Sequence, residues 1–236
     1  MSDLKINPRN MLLKTKAIVL HTIKFRESSI IVRVFAELLG IKTYIVNQVR
    51  SSKSKKFLSA YFQPLTLLEM VVYQRDTANV QRIAELHLWQ PYRTIPFSIV
   101  KQTQVLFLTE IIHKTLKEES PHVELFHFIA KSLLFLDQQK EHFENFHLIF
   151  LIRYSYFLGF GMDSAEEIES QLRQFIPFNE QEMKVLDVLL SCDYADLVIL
   201  EPLFRRKLLD AILIYYRLHM ESLGEIYSLK ILRELT

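Results

Sequence analysis

The sequence predicts an α+β fold in which a small five-stranded barrel, closed or partly open, is followed by an all-helical domain. Short runs rich in β-branched residues, separated by polar turns, recur between residues 17 and 88. From Ser98 onward the apolar residues follow helical spacing, with Val105, Leu108, Ile112 and Leu116 on one face. Only 4 of the 236 residues are glycine, which also favours a helix-rich fold.

The barrel half begins after a lead-in expected over residues 1–15. Alternating apolar and polar residues predict strands at 17–23, 29–35, 41–46 and 65–73. Residues 24–28 form a polar turn between the first two. The stretch 80–88 fits either a fifth strand or the start of a helix, and we expect the domain boundary between residues 83 and 84, giving domains 1–83 and 84–236.

Capping residues mark several helices of the second half. Ser120 followed by Pro121 predicts the start of a helix that runs to about residue 136. Asn179 with Glu182 has the pattern of a capping box for a helix that runs to residue 190. The other helices are predicted at 143–158, 163–175, 203–220 and 228–235.

Charge is distributed unevenly along the chain. Residues 1–82 contain 14 Lys+Arg and 5 Asp+Glu, a net charge of +9, whereas residues 83–236 contain 15 and 22, a net charge of −7. A basic first part indicates a polyanionic partner for the barrel.

The densest cluster of cations is the segment 47–56, which we call the basic segment. It holds four cations and three serines and lacks carboxylates. With the cations on or beside the strands, and Tyr44 as an aromatic neighbour, it predicts one continuous nucleic-acid surface, because cations contact phosphates while aromatic rings stack on bases. The candidate contacts are Lys16, Lys24, Arg26, Arg33, Lys42, Tyr44, Arg50, Lys53, Lys55 and Lys56. Phe57, Tyr61 and Phe62 are assigned to the core instead.

Other chemistry finds little support. One cysteine, Cys192, excludes a cysteine-based zinc cluster and an internal disulfide. Glu166, Glu167 and Glu169 fall in one helical turn, where they complement the helix dipole rather than form a metal cleft. We expect no enzyme activity, no metal and no cofactor. No segment has the length and composition of a signal peptide or a membrane span, so we expect a cytoplasmic protein.

Several short motifs, in order along the chain, resemble the RecO family of bacterial recombination mediators. They are Lys16-Ala-Ile-Val-Leu-His, Arg26-Glu-Ser-Ser, Val34-Phe-Ala-Glu-Leu-Leu-Gly40, the Arg50–Ser54 loop, Gln63-Pro-Leu65, Leu158-Gly-Phe-Gly161 and Ser228-Leu-Lys-Ile-Leu-Arg233. The resemblance implies an N-terminal OB-fold and a helical C-terminal domain. It also implies binding of single- and double-stranded DNA and annealing of complementary strands, in DNA repair and recombination, with association with the nucleoid.

The resemblance further implies several protein partners. These are RecR, the C-terminal tail of single-stranded-DNA-binding protein, and the RecA loading pathway. Arg205, Arg206 and Lys207 stand out in the acidic half and lie beside apolar residues, so we expect them to receive the acidic tail. Two features depart from the family: residues 162–191 lack the four-cysteine zinc site of many members, and Gln48 stands where a glycine is common.

Two other function classes remain open on the sequence alone. One is a general OB-fold module that binds RNA, which recognition of the 2′-hydroxyl would reveal. The other is a scaffold whose barrel and helices bind only proteins. Preference for single-stranded DNA and strand annealing would single out the recombination mediator.

Overall fold

The first part of the chain folds into a five-stranded barrel in a computed structural model that describes residues 11–47, 49, 58–74, 81–117 and 120–235. The strands are β1 (Met11–Phe25), β2 (Ser29–Ala36), β3 (Gly40–Val46), β4 (Leu67–Gln74) and β5 (Gln81–Leu88). They close in the order β1-β2-β3-β5-β4. The β3–β5 pair is parallel and the other pairs are antiparallel. The predicted α+β fold with an N-terminal barrel is confirmed.

Alternation along the strands separates an apolar interior from an outer surface. Side chains of Val32, Val34, Tyr44, Met70 and Val72 meet in the barrel core, and each is 0% exposed. β-branched residues suit such strands because their stiff side chains pack well on a pleated surface. The predicted core residue Phe62 is also buried and Tyr61 packs against the same cluster, whereas Phe57 lies outside the described residues.

The barrel differs from the predicted one at its first and last strands. β1 begins at Met11, inside the expected lead-in, and its register shifts between Val19 and His21, where it leaves β4 and continues along β2. A bulge of this kind bends a strand, so one long strand can pair on both sides of a closing barrel. The stretch that fitted either a fifth strand or the start of a helix contains strand β5. Residue 83, after which we expected the domain boundary, lies within this strand.

The helices are α1 (Ile99–Thr115), α2 (Val123–Gln138), α3 (Phe146–Phe157), α4 (Ala165–Leu172), α5 (Glu180–Ser191), α6 (Pro202–His219) and α7 (Ser228–Leu235). By its contacts the chain divides into two compact units, residues 1–92 with 116–131 and residues 93–115 with 132–236. None of the described helices is long and apolar enough to cross a membrane.

Part of the outer barrel surface is covered within the first unit by the first half of α2. The ring of Phe126 lies 5.8 Å from that of Phe35 and 6.3 Å from that of Trp89. His127 Nε2 lies 3.1 Å from Glu37 Oε1. These contacts bury the end of β2 that carries Phe35.

One of the two predicted helix caps is confirmed, because Asn179 and Glu182 form the capping box in both directions. At the start of α4 the Ser164 hydroxyl accepts a hydrogen bond from the Glu167 amide. The other prediction is wrong, because α2 begins at Val123 and its cap is His122, whose Nδ1 accepts from the Leu125 amide at 3.2 Å. A ring nitrogen two residues further on replaces the expected hydroxyl of Ser120.

A buried carboxylate holds the segment that leads into α1. Asp137, 5% exposed, accepts hydrogen bonds from the amides of Arg93, Thr94 and Ile95 at 2.7, 2.8 and 2.9 Å. Burial raises the pKa of Asp137, but these backbone bonds outweigh it and the pKa lies below its usual value. The ammonium of Lys101 completes the cluster by donating to Thr94 Oγ1 at 2.7 Å.

A second buried titratable group lies in α3. His147 is 0% exposed, and its ring meets that of Phe107 edge-on at 6.3 Å. Burial lowers the pKa of His147 to about 3, and the positive charge of Arg205 contributes in the same direction. The folded protein therefore holds this imidazole neutral throughout the mildly acidic range.

Replacing Asp137 with alanine is expected to destabilise the protein by about 3 kcal/mol, because three backbone amides lose their acceptor and Lys101 loses a nearby negative charge. The contribution of the carboxylate is present above pH ~4, the pKa of an unfolded aspartate, and is lost as the pH falls through the lower folded value. Denaturant unfolding at neutral pH measures the change. Glu141→Ala, at a side chain 82% exposed, is the control, and equal stability of the two variants would contradict the expectation.

His147 is expected to make the protein sensitive to acid. Its folded pKa is below the unfolded one, so the unfolded state gains a proton first, and stability falls by ~1.4 kcal/mol per pH unit below about pH 6.5. Between pH 7 and pH 5 the wild type should lose about 2 kcal/mol more than His147→Leu, which cannot gain this proton. Urea midpoints at the two pH values give the comparison, and parallel losses would refute the role of His147.

Candidate nucleic-acid interface

One end of the barrel brings the β1–β2 turn next to the start of the basic segment. Lys24 lies near the end of β1 and Arg26 is the first residue of the turn; both are exposed, and Arg26 adopts a positive φ of 54°. The hydroxyl of Ser29, just after the turn, donates to Asn47 Oδ1 at 3.0 Å. This bond ties residue 47, where the basic segment begins, to the turn that carries two of the predicted contacts.

Lys16 and Lys42 lie at the opposite end of the barrel. Lys16 precedes Ala17, which pairs with Ala36, and Ala36 in turn pairs with Gly40, two residues before Lys42. Lys24 lies eight positions after Lys16 on β1, about 27 Å along a strand at ~3.4 Å per residue. The ammonium of Lys16 also lies 4.2 Å from the centre of the Trp89 ring, a cation–π contact inside the unit. The predicted contacts therefore include residues at both ends of the barrel, and the single continuous positive surface stays a prediction.

Tyr44 is buried rather than available to a ligand. It is 0% exposed in the barrel core, and burial raises the pKa of its phenol above the usual value. Its ring has no free face on which a base could stack. The prediction that Tyr44 contacts nucleic acid is corrected for this reason, and the residue belongs to the packing of the barrel.

Arg33 lies between the two ends, on the outer face of β2. Register places it opposite His21 on β1 and Thr43 on β3. Lys42 lies two residues before the core residue Tyr44 on β3, so these two residues share one face of the sheet. Arg33 lies on the opposite face. Arg33 therefore belongs with the surface that leads to the β1–β2 turn.

The remaining predicted contacts, Arg50, Lys53, Lys55 and Lys56, lie outside the described residues, and their role stays a prediction. The structure adds one cation that the sequence reasoning missed. Arg82 is exposed at the start of β5, and the parallel pair places it beside Ile45 of β3. The possible fifth strand at residues 80–88 is the sequence feature that could have identified Arg82. A barrel closed by that strand brings Arg82 next to β3.

The three cations at the start of α6 have separate roles. Arg205 Nε donates to Asn145 Oδ1 at 2.8 Å, and Lys207 Nζ lies 2.7 Å from a carboxylate oxygen of Glu182. Burial lowers the pKa of Arg205. Only Arg206 is exposed, and one of its nitrogens donates to the carbonyl of Arg233 at 2.8 Å. The prediction of a three-residue binding patch is therefore corrected, because Arg205 and Lys207 hold the helical unit together.

Arg206 borders a groove of about 730 Å³ between α6 and α7. Its other cations are Arg217, Lys230 and Arg233, and its apolar lining includes Leu213, Ile214, Ile226 and Leu229. Arg233 is paired with Asp210. Asp210, Glu225 and Glu234 also line the groove, so it combines apolar side chains with charges of both signs, four of them positive and three negative.

The wall formed by α7 is held by a carboxylate of α1. Glu110 accepts hydrogen bonds from the amides of Tyr227 and Ser228 at 3.0 and 2.8 Å, at the point where α7 begins. The ammonium of Lys114 lies 2.9 Å from the same carboxylate. A negative charge at a helix N-terminus is stabilising, so the groove has a well-anchored side.

The segment after Gly161 is ordered by polar contacts. The capping box at Asn179 and the ion pair of Glu182 with Lys207 connect α5 to α6.

Among the residues that the structure describes, no group of three or more His, Cys, Asp or Glu is placed to hold a metal ion. Position 161 requires glycine because a Cβ there would lie 2.5 Å from the ring of Tyr156, a residue of the preceding helix α3.

Comparison with known proteins assigns the family. The model for the recombination protein O N-terminal domain matches residues 11–92, and that for its C-terminal domain matches residues 96–224. The DNA repair protein RecO of Flavobacterium psychrophilum is 33% identical over 95% of this chain and 99% of its own length. The proteins of the same name from Phocaeicola vulgatus and Bacteroides fragilis are 32% and 33% identical with the same coverage. The chain therefore belongs to the RecO family of DNA repair proteins.

Proposed function

We propose that this protein is a recombination mediator that binds and anneals single-stranded DNA and helps to load recombinase onto DNA coated with single-stranded-DNA-binding protein. The observation that carries the proposal is the hydrogen bond from Ser29 to Asn47, which joins the basic segment to the turn of Lys24 and Arg26. Lys24 and Arg26, at one end of an OB-type barrel and next to the start of the basic segment, suit a polynucleotide backbone. Family membership supports a role in DNA repair.

The proposed binding is mainly electrostatic. Each phosphate neutralised by a lysine or arginine releases counterions, so that affinity falls with salt in proportion to the number of contacts. The role we propose is binding and annealing rather than catalysis. It includes double-stranded DNA, RecR and the RecA pathway as partners, and a cytoplasmic location at the nucleoid.

The α6–α7 groove is our proposed site for the acidic tail of single-stranded-DNA-binding protein. Arg206, Arg217 and Lys230 are exposed on its rim, while the apolar lining offers a slot for an aromatic side chain. A terminal carboxylate pairs well with arginine, and an apolar side chain gains by leaving water. Arg205 and Lys207 are not part of this proposal, because they have internal partners.

Replacing Arg50, Lys53, Lys55 and Lys56 with alanine is expected to weaken single-stranded DNA binding at least about tenfold, as four lost contacts of ~0.4 kcal/mol each are sufficient. The wild-type log–log salt slope should be about −3 to −4 if five cations contact phosphates, and it should become shallower in the variant. Fluorescence anisotropy over a salt series measures both, and the melting temperature should hardly change.

A matched variant tests whether lost charge alone explains that result. Alanine at the exposed lysines Lys117, Lys131, Lys140 and Lys184 removes the same charge from the acidic part of the chain. Equal losses in both variants would show a general charge effect, and no loss in either would place the DNA site elsewhere. Annealing of DNA coated with its binding protein, compared with RNA strands, separates a recombination mediator from a general RNA-binding module.

Arg206→Glu combined with Lys230→Glu is expected to weaken binding of an acidic peptide ending in phenylalanine about tenfold or more, because both changes repel the peptide. Affinity for naked DNA should stay within about twofold. Titration with labelled peptide and DNA gives the comparison. Arg173→Glu, on an exposed side chain paired with Glu169, is the control. Normal peptide binding by the double variant would remove the groove as the tail site.

A further inference from the structure

A row of aliphatic side chains crosses the outer face of the barrel from β1 to β5. Register places Ile23 opposite Ile31, Ile31 opposite Ile45, and Ile45 beside Arg82. Ile23 is 52% exposed, and Ile31 and Ile45 are partly exposed. We call Ile23, Ile31 and Ile45 the isoleucine row. Apolar side chains at this exposure leave surface in contact with water that a ligand could cover.

Positive charge lies on two sides of the isoleucine row. Arg33 is two residues from Ile31 on the same face of β2, in the neighbouring row with His21. Arg82 closes the isoleucine row on β5. Three strand spacings of ~4.8 Å separate Ile23 from Arg82, a track about 14 Å long. The cations are therefore placed along and at the end of an apolar strip.

This pattern suits a single strand better than a duplex. In a duplex the faces of the bases are stacked on one another, and only their edges and the phosphates reach a protein surface. In a single strand the base faces are free to lie on apolar side chains while the phosphates reach the cations. The isoleucine row offers an apolar surface to the base faces, and Arg33 and Arg82 offer positive charge to the phosphates.

We propose that single-stranded DNA crosses the barrel along the isoleucine row, with base faces on Ile23, Ile31 and Ile45 and phosphates at Arg33 and Arg82. This inference rests on the proposed function and assigns Arg82 and the isoleucine row as DNA contacts. The strand enters from the β1–β2 turn, where Lys24 and Arg26 lie, and leaves over β5. The path runs across the strands, perpendicular to their direction.

Two single substitutions separate the ionic from the apolar part of this site. Arg82→Ala should weaken binding of an oligo(dT) about threefold and reduce the salt slope by ~0.7, the value for one lost single-strand contact. Ile23→Ser should weaken binding about threefold at every salt concentration with an unchanged slope, because an uncharged contact is lost. The double variant should lose about tenfold, since separate contacts contribute additively.

Lys14→Ala is the matched control on the same strand. Its side chain is 66% exposed and its ammonium lies 3.0 Å from Glu69, away from the isoleucine row. It should keep wild-type affinity and slope within about twofold. Circular dichroism melting of each variant checks that the barrel folds, which the exposure of Ile23 and Arg82 favours.

The outcomes distinguish this site from the proposed function. If the wild type binds single-stranded DNA and the basic-segment variant binds it weakly, while Arg82→Ala and Ile23→Ser both bind normally, the track is refuted and the proposed function stands. A slope change in Ile23→Ser, or none in Arg82→Ala, would also overturn the assigned contacts. If the wild type fails to bind DNA, the proposed function and the track both fall.

Discussion

Closure of the barrel by the short parallel pair of β3 with β5 is the constraint on which the proposed DNA-binding surface depends. Among the residues that the structure describes, Tyr44 pairs with Gln81 and Ile45 with Arg82, and this contact leaves each strand with a neighbour on both sides. An unpaired strand edge presents free amides and carbonyls that invite association with other chains. The same pairing places Arg82 beside β3. One contact between strands therefore both closes the barrel and positions a residue of the candidate site.

The helical unit depends on a different kind of interaction, the buried or half-buried charge with several partners. Asp137 accepts hydrogen bonds from three backbone amides before α1, and Glu110 accepts them from two backbone amides at the start of α7. A buried charge is costly unless hydrogen bonds compensate it, so each such group tolerates only a narrow set of geometries. Packing of apolar side chains alone allows small shifts between helices, whereas these carboxylates specify which segments meet.

Local patterns in the sequence predict most of the elements but not the positions of the candidate contacts. Strand alternation and the capping box at Asn179 depend on neighbouring residues, and the structure has both. Burial of Tyr44 and internal pairing of Arg205 depend on residues distant in the chain. A cationic stretch has the same sequence pattern whether its side chains face water or hold a neighbouring helix. The contribution of Arg82 likewise required knowing which strand closes the barrel.

The two-sided pairing of β1 has a consequence for the order in which the barrel forms. Its second half pairs with β2 across a short turn, so this hairpin needs only local search and can form within microseconds. Its first half pairs with β4, where Ile18 meets Leu67 far along the chain. Contacts between distant residues carry a larger loop-closure entropy and slow folding. We therefore expect the β1–β2–β3 meander to form before β1 pairs with β4.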